Sequence, residues 1–239
     1  MTTEPAKPKP RRRWLQYSLR TFFVLLTVFG VWLGVVVHRA NAQRKVVEWV
    51  REMGGSVHYD YEYHADGQLI GDAKPPSPTW LVQLLGVDYF QGVSLVDFEN
   101  QPVSDLTPLA GLTSLRWLEG DGTSVIDLTP LAGMTSLEGL YLSVTRVTDL
   151  TSVAGLKSLE ELYLYNTQVS DLAPLEKLTS LRALSLQGTK VSDLTPLAEL
   201  KNLEWLELEH TQVSEEQVEK LRQALPNCDI SWSPPDDSA

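Results

Sequence analysis

The chain has 239 residues, with 31 Asp and Glu against 20 Lys and Arg, a formal net charge of −11 and one cysteine, Cys228. An acidic balance of this size argues against nucleic-acid binding, because a phosphate backbone repels it. The lone cysteine excludes an internal disulfide, suits a small apolar filler, and leaves no thiol near the N-terminus to carry a lipid.

Residues 1–20 form a basic tail with Lys7, Lys9, Arg11, Arg12, Arg13 and Arg20. From Thr21 to Val37 run 17 uncharged residues, mostly Val, Leu and Phe. As a helix this run spans ~25 Å, close to the ~30 Å of a bilayer's hydrocarbon. One N-terminal transmembrane helix over residues 21–38 is therefore expected, retained as a signal anchor. A cleaved signal peptide is the alternative: Ala40-Asn41-Ala42 resembles a cleavage site, but the run is longer than a signal peptide's apolar region and His38 and Arg39 intervene. Six basic residues precede the span and four come after it, Arg39, Arg44, Lys45 and Arg51. That bias predicts a cytoplasmic N-terminus and an exoplasmic remainder, periplasmic or at the cell surface. Gly30 and Gly34 form a GxxxG pair, which would permit a weak homodimer of helices.

Residues 39–55 read as a juxtamembrane amphipathic helix, with Val46, Val47, Val50 and Met53 on one face and Gly54-Gly55 as the stop. Such a helix would lift the rest of the chain off the bilayer. Through Gly55 the chain carries a net +7, which leaves −18 for the remainder. A basic base suits anionic lipid heads, and the acidic body does not. Residues 56–92 read as a β-containing N-terminal cap. Val57, Tyr59, Tyr61 and Tyr63 alternate with polar residues, Asp66-Gly67 offers a turn, and Trp80 to Leu85 form a short helix after the Pro75–Pro78 stretch.

Over residues 93–213 the phrase V-x-D-L recurs with its aspartate at Asp105, Asp127, Asp149, Asp171 and Asp193, each 22 residues after the last. Threonines keep the same interval at Thr123, Thr145, Thr167, Thr189 and Thr211. Between them lies a leucine frame such as Leu159, Leu162, Leu164, Val169, Leu172, Leu175 and Leu178. The unit reads LxxLxLxxTxVxDLxPLxxLxS. Its LxLxxT part alternates like a half-buried strand, and TPLxxL suggests a short helical return. A lone repeat cannot cover its own leucines, so repeats must stack and be capped. The segments VSDLTPLAGLTSL (103–115), VIDLTPLAGMTSL (125–137) and VSDLTPLAELKNL (191–203) resemble bacterial internalin-type leucine-rich repeats. With the N-terminal RRRWLQYSLRTFFVLL and the ending LRQALPNCDI, the chain is similar to bacterial membrane-anchored leucine-rich repeat proteins. The resemblance implies an α/β solenoid, with short strands on the concave face and short helical or 3-10 turns on the convex face, that binds proteins. The sequence departs from that pattern by placing Thr where Asn usually forms a ladder, and by Thr151-Ser152 and Ala173 in the Thr-Pro positions.

Residues 214–232 read as a C-terminal cap, with a flexible tail over 233–239. Ser214 and Gln217 suit a capping box, Val218, Leu221 and Leu225 share a helical face before Pro226, and Ile230 and Trp232 close the last layer.

In this register the concave face carries Trp117, Tyr141, Tyr163, Tyr165 and Trp205 among Asp97, Glu99, Glu119, Asp121, Glu138, Glu160, Glu161, Glu207 and Glu209. Aromatic anchors in an acidic field suit a basic protein or peptide, and the residues singled out are Trp117, Glu119, Tyr141, Glu161, Tyr163, Tyr165, Trp205 and Glu207. The bland alternative is that aromatics favour strands and charges keep the surface soluble. Gly139 and Ala183 flank Glu161 in one column, so a shallow dip is expected there. The aspartate column offers one carboxylate per layer, too few for calcium, and each Asp should instead accept backbone N–H bonds at its turn. Catalysis finds no support: His58, His64 and His210 are scattered, and no HExxH, GxSxG or phosphate loop occurs. No cofactor and no metal are expected. The leading expectation is a membrane-anchored, exoplasmic protein-binding module with the lipid bilayer as a second partner. A cytoplasmic-facing scaffold or regulatory subunit and a structural envelope protein are the alternatives.

Overall fold

The computed structural model describes residues 19–62, 70, 73, 74, 79–89 and 91–234. The basic residues Lys7 to Arg13, the Tyr63 strand position, His64, the Asp66-Gly67 turn, the Pro75–Pro78 stretch and the tail from residue 235 lie outside them. The chain divides into two compact units, Met1–Arg39 and Ala40–Ala239.

The first unit is the leading part of helix α1, Leu19–Glu52. Its apolar side chains from Phe22 to Val35 face outward, and Gly30 and Gly34 have open space where a Cβ would stand. Thr27 avoids an unmet hydroxyl by donating to the Phe23 carbonyl (2.8 Å). The helix is long and apolar enough to cross a membrane, and is a candidate span or signal sequence.

The second unit begins with the last turns of α1. Val47 and Val50 are buried in the same core as the repeat leucines, Val46 and Met53 pack against it, and Trp49 meets Phe98 edge-on at 5.4 Å. The apolar face expected to serve a juxtamembrane spacer is instead the first layer of the cap. The physical reason is that its valines complete the core where no preceding repeat can. The helix ends as Gly54 turns left-handed (φ +87°), with the Gly54 N–H bonded to the Arg51 carbonyl and the Gly55 N–H to that of Val50. The chain then enters β1 (Ser56–Tyr59), antiparallel to β2 (Val93–Asp97). Alternation through Tyr61 does not continue as a strand: the register breaks between His58 and Tyr59, and Asp60–Glu62 forms a 3-10 turn. Glu62 fixes that turn by accepting the Tyr59 N–H (3.1 Å) beside the His58 ring (3.0 Å). Helix α2, Thr79–Leu85, occupies the expected position.

From β2 onward the sheet is parallel and runs in chain order: β3 (Trp117–Glu119), β4 (Gly139–Tyr141), β5 (Glu161–Tyr163), β6 (Ala183–Ser185), β7 (Trp205–Glu207) and β8 (Asp229–Ser231). A 22-residue step pairs like with like, so Val96, Leu118, Leu140, Leu162, Leu184, Leu206 and Ile230 form one buried column. Three local devices repeat with that step. Each buried threonine hydroxyl donates to the carbonyl three residues back, as Thr167 does to Leu164 (2.9 Å). This local bond, not a ladder between repeats, is what threonine supplies in the Asn position. Each aspartate accepts the N–H two residues on, at 2.8 Å for Asp105 to Thr107, and so opens the 3-10 return. Positions 100, 122, 144, 166, 188 and 210 all take positive φ, occupied by Asn100, Gly122, Val144, Asn166, Gly188 and His210. The array ends on α3, Glu215–Ala224, whose N-cap Ser214 accepts the Gln217 N–H (3.4 Å). The reciprocal half of the capping box is missing, since Gln217 Oε1 is buried with no partner. Cys228 packs against the core, and burial pushes its thiol up to about 11.

Candidate protein-binding face

Parallel pairing at a 22-residue step sets the outward side chains in columns. The first runs Leu95, Trp117, Gly139, Glu161, Ala183, Trp205 and Asp229. The second runs Asp97, Glu119, Tyr141, Tyr163, Ser185, Glu207 and Ser231. Seven of the eight residues singled out from the sequence fall in these columns. Tyr165 lies two residues past β5 and is 42% exposed.

The aromatics touch one another. Tyr141 and Tyr163 stack with ring centroids 5.0 Å apart and planes 18° from parallel. Tyr163 reaches over the small row of Ala183 and Ser185 to Trp205, centroid to centroid 5.8 Å. At Gly139 an added Cβ would stand 2.6 Å from Cδ1 of Trp117 and 3.0 Å from Cε2 of Tyr141, so those rings cover the glycine. The dip expected between Gly139 and Ala183 is thus roofed by neighbouring rings. Small residues here let large ones lie flat, which turns separate aromatics into one strip from Trp117 to Trp205.

Charges sort themselves along the face. Glu161 accepts a 2.5 Å bond from the Tyr141 hydroxyl, and Glu207 one of 2.7 Å from Ser185. Burial, with the adjoining Glu161 carboxylate second, holds the Tyr141 phenol well above its ordinary range. At the other end Asp97, Glu99, Glu119 and Asp121 crowd together. Burial raises the Glu119 carboxyl, and repulsion from the other three adds to it. Burial likewise raises Asp121, against the pull of the Ser143 N–H that it accepts at 2.5 Å.

Two arginines that the sequence did not single out change the strand entries. Arg116 grips Glu138 with two bonds, 2.8 Å from Nε and 2.5 Å from Nη2, and lays its guanidinium 4.2 Å from the Trp117 ring centre. Arg182 bonds Glu204 at 2.8 Å and approaches Glu160 at 3.9 Å. Glu138 and Glu160 are therefore ion-paired, and one surface of Trp117 is occupied by its own neighbour. The signal was the 22-residue offset of Arg116 from Glu138 and of Arg182 from Glu204. Among the described residues no group of three or more His, Cys, Asp or Glu side chains is placed to hold a metal ion. The aspartate column is engaged with its own turns, and hydrogen bonds from the adjacent threonine hold Asp105, Asp127, Asp149 and Asp193 below the usual carboxylate range.

The family model described as Leucine Rich repeats (2 copies) matches residues 135–177 and 157–199. The chain carries leucine-rich repeats. Among solved structures, internalin C2 of Listeria monocytogenes is similar at 34% identity and a TM-score of 0.55, over 57% of this chain and 60% of that one. An internalin F from the same organism aligns at 24% identity with a TM-score of 0.46, over 64% of this chain and 52% of its own. The chain thus spans about 60% of the length of internalin C2. Comparison with curated protein sequences gives no match.

Proposed function

We propose that the repeats bind a protein through the concave strip from Trp117 to Trp205, and that α1 holds the chain in a membrane as a signal anchor. The repeats then stand on the exoplasmic side, with the N-terminus in the cytoplasm. The observation that carries binding is the contiguity of Tyr141, Tyr163 and Trp205 on an outward sheet face. Rigid aromatics already stacked lose little side-chain entropy when a partner covers them. The crowded carboxylates of Asp97, Glu99, Glu119 and Asp121 suit a partner that is basic where it meets β2 and β3. The chain's role is binding, with no catalysis and no cofactor assigned to it.

A photo-crosslinking residue in place of Tyr163, in living bacterial cells, should trap a discrete protein. Exposed Glu176, at the end of a convex turn, serves as the control position and should trap none. Equal yields from both positions, or a Tyr163 crosslink that survives Tyr141→Ala with Trp205→Ala, would remove the concave face from consideration. A C-terminal alkaline phosphatase fusion should be active. Activity of a fluorescent-protein fusion alone would turn the same face toward a cytoplasmic partner.

A further inference from the structure

We propose that α2 is a second membrane contact, inserting Trp80 and Leu84 into the lipid interface beside the anchor. The inference rests on α1 being a membrane anchor. Trp80 and Leu84 are 63% and 72% exposed, more than any other large apolar side chain among the described residues of the second unit. They stand one helical turn apart and so share a face of α2. Exposed Ile126 and Val144, by contrast, occur singly in the repeats.

The place where α2 is pinned determines its occupant. The turn after it is tied to the first residues of the second unit. Gly86 turns left-handed (φ +92°) where a Cβ would lie 2.6 Å from Nη2 of Arg44. Asp88 accepts Gln43 Nε2 at 3.1 Å and lies 3.7 Å from Arg44, and the Tyr89 hydroxyl donates to Asn41 at 3.3 Å. Asn41 is four residues beyond Val37, the end of the uncharged run, so whatever its conformation the chain between them reaches at most ~14 Å. A bilayer holding Thr21 to Val37 therefore brings its head groups within reach of the turn that holds α2. Tryptophan favours that depth, where its ring sits at the boundary between head groups and hydrocarbon. Lys45 in the unit and Arg39 just before it are basic residues matched to anionic head groups, while Arg44 is paired with Asp88, although the unit as a whole is acidic. The contact holds on whichever side of the membrane the repeats stand.

The test uses the full chain with Cys228→Ala, reconstituted in vesicles of phosphatidylcholine and phosphatidylglycerol. Single nitroxide labels are placed through Val31→Cys, Leu84→Cys or Val144→Cys. Collision with oxygen against a water-soluble nickel complex reads the depth of each label. The expected order is residue 31 deep in hydrocarbon, residue 84 at the interface and residue 144 in water. A residue 84 label as nickel-accessible as that at 144, with 31 still deep, overturns the α2 contact and leaves the anchor standing. A residue 31 label in water overturns the anchor itself. A residue 84 label that moves into water on adding Trp80→Ser supports the pair acting together.

Discussion

The repeat array and the N-terminal cap share one hydrophobic core but are built by opposite means. In the array, one aspartate, one threonine and one left-handed residue per 22-residue step do the same job each time: the aspartate and threonine side chains bond within their own turn, and the left-handed N–H, as at Val144 to Tyr165, reaches the next repeat. In the cap nothing repeats. The second-unit part of α1, strand β1 and the Val87–Tyr89 turn after α2 are joined through Asp88, which takes the Tyr59 hydroxyl, Gln43 and Arg44 at once. Bonds repeated at every step tolerate loss of one member, whereas a single hub does not. Equal chemical insults should therefore cost more in the cap.

The largest effect is expected from Val50→Asp. Val50, on α1, is fully buried in the core shared with the repeats, and a carboxylate there would be surrounded by apolar side chains. The cost is about 4 kcal/mol, and because a solenoid depends on its caps the loss should propagate into the repeats. Melting of the whole far-ultraviolet signal about 10 °C lower is expected, given roughly 2 to 4 °C per kcal/mol for a chain of this size. Retention of an unshifted repeat transition would mean that the array closes without this cap.

A matched pair of aspartates sharpens the contrast. Asp88→Ala removes the hub and leaves the Tyr59 hydroxyl with no acceptor there, at a cost of about 2 kcal/mol. Asp149→Ala removes only a solvent-exposed acceptor for the Thr151 N–H and hydroxyl. It should lower the melting temperature less than Asp88→Ala, and calcium should not alter either melting curve. Equal losses would end the distinction between hub and repeat. A calcium-dependent rise in the parent protein would make the aspartate column a metal site.

Legibility in the sequence divides along the same line. The 22-residue step exposed the strands, the buried column and both outward columns, because periodic sequence forces periodic packing. Val47 and Val50 read as a spacer's face in the sequence, because an apolar helical face looks the same whether it meets lipid or leucine. At Tyr61, alternation alone carries no sign of the Glu62 carboxylate that turns the backbone into a 3-10 helix. On the face, the aromatic positions were readable, but their contacts were not. That Tyr163 reaches Trp205 depends on the absence of bulk at Ala183 and Ser185, and that Trp117 is partly covered depends on the rotamer of Arg116.

One position in the array breaks its own rule. The left-handed site takes Asn or Gly in four repeats and His in the last, but Val144 holds φ +57° with a β-branched side chain 51% exposed. β-Branched residues are strained there, so Val144→Asn should stabilise the protein by about 1 kcal/mol, seen as a rise of roughly 2 to 4 °C in the melting temperature. No rise would mean that the Val144 side chain returns in packing what its backbone costs.

The smallest effect concerns the acidic end of the face and depends on pH. The folded state raises the Glu119 carboxyl above its unfolded value, through burial first and then through Asp97, Glu99 and Asp121. A raised carboxyl contributes stability that is fully present below the unfolded pKa, near pH 4, and is lost as pH rises through the folded one. At neutral pH the charge is therefore a liability to folding, and Glu119→Gln should raise the melting temperature by about 2 °C. That gain should shrink as the pH falls through the carboxylate range and vanish near pH 4. A gain independent of pH would trace to packing. A loss at neutral pH would mean that the Glu119 charge is already compensated in the folded chain, and with it would go the case for a basic partner at β2 and β3.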